Sequence, residues 1–186
     1  MNTDIKKITI ICILTILIFI SLVFTKLNHK REEVPTFDSN EPEKIELPEI
    51  DPIVYDGLTL DELAEKLDRS LTNELSGMGY EIASRAINLG IDPYLAVAII
   101  LHETGCSWTC STLLKNKNNV GGMKASSGNY ASYPTLVDGI EAFMNNLYYN
   151  YYQKGLTTPE AMNKKYAEST AWSSKINNYI EKISAA

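Results

Sequence analysis

Basic residues, cysteine and histidine are all scarce in this 186-residue chain, and each scarcity excludes something. Lys and Arg total 17 against 23 acids, a formal net charge of −6. With no basic excess there is no electrostatic footprint for nucleic acid. The only histidines are His29 and His102, and the three cysteines are Cys12, Cys106 and Cys110. No group of these has the spacing of a zinc site, so no metal is expected. Neither a phosphate-cradling glycine loop nor a dinucleotide fingerprint is present, and no cofactor is expected. No internal repeat is visible. From Thr104 through Val137 there is no Asp or Glu at all. Any chemistry in that stretch that needs a carboxylate must borrow one from outside it.

The charge is unevenly placed. Residues 32–56 hold nine acids against the single base Lys44, a net of −8, whereas residues 57–186 hold 13 acids and 11 bases. Residues 8–24, ITIICILTILIFISLVF, have neither charge nor proline. As a helix this run is about 26 Å long at about 1.5 Å per residue, and adding Thr25 to Leu27, with Lys26 snorkelling, spans a hydrocarbon core of roughly 30 Å. A cleaved signal peptide is the competing reading. No small-x-small pattern follows the run, which favours an uncleaved anchor over residues 8–27 after a short tail, 1–7. Basic residues flank the span on both sides, so charge alone does not orient it. Residues 28–56 carry Pro35, Pro42, Pro48 and Pro52 among their acids. Such a segment cannot bury enough apolar surface to offset its ordering entropy, and it reads as an extended tether. The folded domain is expected over 57–186.

Within that domain the dominant stretch is IDPYLAVAIILHETG, residues 91–105. Asp92 can cap a helix, Pro93 suits its first position, and Gly105 can stop it. The segment between them is almost wholly apolar, which predicts burial on most sides. The one acid inside is Glu103, in the last turn and on the stripe of Ala96, Ile99 and Ile100. Loss of water and the negative end of the helix dipole both disfavour its ionised form. A carboxyl group held protonated near neutral pH is what a general acid requires. His102 points about 100° away and reads as a packed or rim residue.

Other elements follow from caps and periodicity. Thr59 to Glu62 resembles a capping box ahead of Leu63, Leu67 and Leu71. Helices are expected over Tyr80–Leu89, from a Thr135/Asp138 cap through about Tyr152, from Pro159, and from Ala171 to Ile183. Residues 106–118 read as an irregular loop, and 119–133 as a short hairpin around Ser126 to Asn129. Cys106 and Cys110, in CSWTC, are a plausible disulfide in an oxidising compartment.

Four pieces in order, GIDPYLAVAIILHETG, NNVGGMK, YASYPTLVDGIEAF and KYAESTAWSSKI, resemble the glucosaminidase domains of glycoside hydrolase family 73, within the wider lysozyme-like superfamily. The match covers roughly residues 75–183. It implies a mainly α, α+β lysozyme-like fold with a small β-hairpin lobe. Glu103 matches the catalytic acid. Asn118, Asn119, Gly121, Gly122, Met123 and Lys124 match the Asn-Asn-x-Phe-Gly-x-Lys strand that lines the sugar cleft, with Val-Gly-Gly replacing its aromatic and single glycine. Tyr130 and Tyr133 match the aromatic stretch after the hairpin, and Tyr166 a tyrosine near the reaction centre. Glu168 and Ser169 replace the usual Thr-Asp, and Trp172 matches an aromatic that packs. The expected site is therefore Glu103 and Tyr166 for catalysis, with Asn119, Gly122, Met123, Lys124, Tyr130 and Tyr133 for substrate.

The resemblance implies a peptidoglycan hydrolase cutting after N-acetylglucosamine, anchored in the cell membrane with its domain facing the wall. The span also leaves room for a membrane-protein partner. No second carboxylate is nameable, because Asp138 and Glu141 read as helix cap and solvent face, so a one-acid mechanism is expected. The rivals are a muramidase or lytic transglycosylase of the same fold, a non-catalytic wall-binding module, and an inward-facing partner domain.

Overall fold

A computed structural model describes residues 51–167 and 169–186. The expected tail, anchor and most of the tether lie outside the described residues, as does Glu168. Among the described residues no helix is long and apolar enough to cross a membrane.

Seven α-helices carry the described part of the chain: α1 (Leu60–Asp68), α2 (Gly79–Leu89), α3 (Pro93–Thr104), α4 (Thr112–Lys117), α5 (Leu136–Asn150), α6 (Pro159–Tyr166) and α7 (Trp172–Ser184). Short 3-10 turns sit at Asn73–Leu75 and Tyr152–Lys154. The ends are set by local chemistry. The Thr59 hydroxyl accepts from the Glu62 N–H while the Glu62 carboxylate accepts from the Thr59 N–H, closing the capping box. Thr135 and Asp138 repeat the device at α5. Thr158 caps α6 with Pro159 at its first position.

Helix α3 is the central rod. The Asp92 carboxylate accepts from the backbone N–H groups of Tyr94 and Leu95, and Gly105 closes the far end at φ 66°. Of its twelve residues only His102 and Glu103 escape full burial. Helices α7 and α2 pack against it, and α1 and α5 pack against α2. Each fully buried Leu, Ile or Val contributes about 2 kcal/mol of burial free energy, so the rod is a main source of cohesion. It also places Glu103 where the core ends.

The structure departs from expectation in three places. Residues 106–118 contain helix α4, capped by the Ser111 hydroxyl and ended by Asn118 in the left-handed region at φ 51°. Six residues with one buried side chain, Leu114, leave too little periodicity to read. The expected hairpin reduces to a single bridge, Lys124↔Tyr130, and the only other bridge among the described residues is Tyr55↔Leu58. The reason is visible at Asn119. Its amide donates to the carbonyls of Met123 and Ala131 at 2.8 and 3.0 Å and accepts from the Met123 N–H at 3.0 Å. A side chain thus replaces the rungs that a strand pair would supply, and Gly121 and Gly122 favour irregular backbone. Among the described residues the fold is mainly α, with almost no strand. Finally, the ordered packing begins before Gly57. The Tyr55 hydroxyl donates to Asp92 and the Tyr94 hydroxyl to Asp56, at 2.9 and 2.7 Å. Tyr55 also meets the Tyr94 ring edge-on at 5.0 Å. Two aromatic anchors hold this short piece against the start of α3.

Candidate active site

Glu103 stands at the floor of a cleft of about 570 Å³. One wall is the loop Gly121 to Lys124 with Tyr133 behind it. The other is a face of α5, Ala142, Asn145, Asn146, Tyr149 and Asn150, continued by Tyr151. Tyr166 closes the end.

Each wall has a sequence reason for its shape. In α5 the apolar residues Ile140, Phe143, Met144 and Leu147 are fully buried. The cleft residues 142, 145, 146, 149 and 150 fall on another face at helical spacing, so one amphipathic helix supplies both core and cleft wall. The loop wall comes close because its glycines leave room. A Cβ on Gly121 would lie 2.4 Å from Phe143 Cδ2. Gly122 has φ +63°, and a Cβ there would sit 3.3 Å from Glu103 Oε2. The backbone at Gly122 is therefore laid against the carboxyl group.

The electrostatics follow from burial. Desolvation raises the Glu103 pKa above the ordinary carboxyl value, opposed in part by the neighbouring Trp172 indole N–H. That indole is 3% exposed, and its Nε1 has no hydrogen-bond partner of good geometry. Nε1 stands near enough to favour the carboxylate without closing a bond to it. Tyr166 stacks on the Trp172 ring at 4.5 Å and leans on Tyr151 at 5.5 Å. Burial, then the Glu103 charge, then Tyr151 hold the Tyr166 phenol well above its usual pKa. Burial and Glu103 raise Tyr151 in the same way. Both phenols remain neutral donors at physiological pH. The Lys165 ammonium lies over the Tyr151 ring at 4.6 Å.

Several expected site residues are brought together: Glu103, Tyr166, Gly122, Met123, Lys124 and Tyr133 all line the cleft. Lys124 is the only cation among the described lining residues. Asn119 is not among them. It is 1% exposed, and its amide is occupied by loop backbone, so it builds the wall instead of touching a ligand. Tyr130 lies outside the lining and is 51% exposed. Cys106 and Cys110 form a disulfide with their Cα atoms 4.1 Å apart, two residues beyond the end of α3. Glu103 is the only acid among the described residues of the cleft. Asp138 is held in its capping box, and Glu141 pairs with Arg85 at 3.1 Å. Sequence reasoning missed Tyr151 and the amide face of α5. The signal was present in MNNLYYNYY, where Asn and Tyr recur at offsets of three and four beside the apolar stripe.

A partly buried acid, two neutral phenols and a row of amides can bind a neutral polyol and protonate an ether oxygen. Residues 80–185 match the family model for the glucosaminidase domain, described as mannosyl-glycoprotein endo-beta-N-acetylglucosaminidase. The chain belongs to the glucosaminidase family. A glucosaminidase domain is a glycoside hydrolase domain, and peptidoglycan glycan is the substrate class it implies. The matched segment runs from the second residue of α2 to the end of α7 and contains every residue of the cleft. A comparison with curated proteins found no match.

Proposed function

We propose that this glucosaminidase domain is an endo-β-N-acetylglucosaminidase of the bacterial cell wall, cutting the β-1,4 bond after N-acetylglucosamine with Glu103 as general acid. The observation that carries the reading is the Glu103 carboxyl group, desolvated at the foot of an apolar helix and facing a cleft of amides and phenols. Protonated, it donates to the leaving glycosidic oxygen. With one acid in the described cleft, the attack on the sugar carbon falls to the substrate's own 2-acetamido group or to a water held by the Tyr166 hydroxyl. Tyr133, Tyr149 and Tyr151 offer faces and hydroxyls to sugar rings, and Asn145, Asn146 and Asn150 offer amide donors and acceptors.

The single acid also favours a second reading, a muramidase or lytic transglycosylase of the same fold: water attacks in the first, and the sugar's own hydroxyl attacks and closes an anhydro ring in the second. Mass spectrometry of fragments from purified wall separates the two. Reducing N-acetylglucosamine ends support the proposal, and an anhydro sugar or reducing N-acetylmuramic acid ends contradict it.

The same reading sets the domain outside the cell membrane, anchored by residues 8–27 and raised on the acidic tether. The Cys106–Cys110 disulfide favours an oxidising compartment. Protease added to intact cells stripped of wall should then release the domain; protection of the domain would contradict this placement.

A further inference from the structure

The chain has two tryptophans. Trp172 is buried beside Glu103, while Trp108 is 90% exposed. Trp108 stands at the tip of the loop that the Cys106–Cys110 disulfide closes. The loop is fixed from several sides. The N–H groups of Trp108 and Thr109 both donate to the Gly105 carbonyl, at 3.0 and 3.1 Å, and the Ser111 N–H donates to the Thr104 carbonyl at 2.8 Å. The Thr72 hydroxyl donates to the Cys106 carbonyl at 2.5 Å, and the Ser107 and Tyr179 hydroxyls are bonded at 3.1 Å. A loose loop could fold its indole onto the protein. This one is clamped with the indole outward, so the exposure is built in.

Beside the indole is a groove of about 390 Å³ lined by Asn73, Glu74, Trp108, Thr109, Cys110 and Lys115. It shares no residue with the catalytic cleft. Its chemistry selects the occupant. None of its described lining residues is Val, Leu or Ile, which disfavours an acyl chain or the apolar face of a helix. Glu74 and Lys115 face each other at 3.4 Å and balance in charge, which disfavours an anionic headgroup or nucleic acid. A flat aromatic face, an amide, a hydroxyl and a paired carboxylate and ammonium suit a neutral sugar ring, whose C–H face stacks while its hydroxyls find partners.

We propose that this groove is a second, non-catalytic glycan site, in which Trp108 stacks on an N-acetylated pyranose of the same polymer that the catalytic cleft cuts. The inference rests on the glycan reading of that cleft. Two sites on one domain raise retention on an insoluble, repetitive substrate by effective concentration alone.

The test uses the full chain carrying Glu103→Gln, which prevents cleavage during titration, with the tetramer of N-acetylglucosamine as probe. Acrylamide quenching reads the exposed indole and is insensitive to the buried one. Added tetramer should protect Trp108 from quencher and shift its emission to the blue. Glu103→Gln/Trp108→Ala should lose both responses and bind insoluble wall about tenfold more weakly. Trp108→Ala alone should cut short soluble glycan at the unaltered rate. Unchanged quenching on adding tetramer, equal wall retention in the Trp108 variant, or a response to phosphatidylglycerol vesicles in place of tetramer would each overturn the proposal. Absence of cleavage by the unaltered chain, with the Trp108 response intact, would refute the catalytic reading and leave the second site standing.

Discussion

At the scale of single residues the site turns on one proton. Desolvation raises the Glu103 pKa in the folded state above that of the unfolded chain. The sign follows. The protonated carboxyl favours folding fully below the unfolded pKa, and that contribution is lost as pH rises through the folded pKa. Glu103→Gln cannot titrate. Thermal melts should therefore show the variant gaining on the unaltered chain as pH rises to neutral, with the gap closing in acid. Hydrolysis should fall over the same rise, because the general acid is losing its proton. Trp172 tunes that acid. Its indole N–H opposes the desolvation without making a full bond. Trp172→Phe keeps a ring against Tyr166 and removes the N–H, so the alkaline limb of the pH–rate profile should move to higher pH. An unmoved limb would show that the indole only packs. Glu103 was legible in the sequence because caps on both sides fixed the helix and its register. Tyr151 was not, because its place depends on where α5 ends, and the chain leaves helical geometry at that residue, with ψ −62° at φ −127°.

At the scale of elements the cleft depends on how closely α5 approaches the loop that faces it. Gly139 permits that approach, since a Cβ there would lie 1.8 Å from the Asn118 carbonyl oxygen and 3.5 Å from Tyr133 Cδ2. Gly139→Ala must push α5 and the loop apart. The expected cost is about 3 kcal/mol, read as a lower urea midpoint, with hydrolysis reduced further in the fraction that stays folded. Unchanged stability and activity would mean that the wall is more pliable than its packing indicates. Helix caps were the best-read feature of the sequence. Asp92, Thr59 and Thr135 all cap as their side chains predict, because capping needs only neighbours within three residues. The hairpin misled for the converse reason. Its Gly, Ser and Asn suit a turn, but strand pairing was decided by Asn119, whose amide bonds reach twelve residues along the chain to Ala131.

At the scale of the molecule the helical core leaves Glu103 at its margin, and a disulfide ties down the loop that follows. Closing the five-residue loop from Cys106 to Cys110 stabilises the fold by about 2 kcal/mol on the chain-entropy estimate. The Cys106→Ser/Cys110→Ser variant should lose about that much in urea unfolding, and reductant should leave it unaffected while lowering the unaltered chain to match. Equal stability of the two chains under oxidising conditions would contradict this. Composition shows where acidic, proline-rich sequence gives way to periodic apolar sequence, near residue 57. The packing of Val54 to Asp56 was not legible in it, since it rests on Tyr55 and Tyr94 meeting acids 37 and 38 residues away.

The most direct measurement is the release of reducing ends from purified peptidoglycan by the full chain and by its Glu103→Gln variant, each first verified as folded. The unaltered chain should release them steadily and the variant about a thousandfold more slowly, with its wall binding retained. Release by the variant at the unaltered rate would remove Glu103 from the chemistry and overturn its role as general acid.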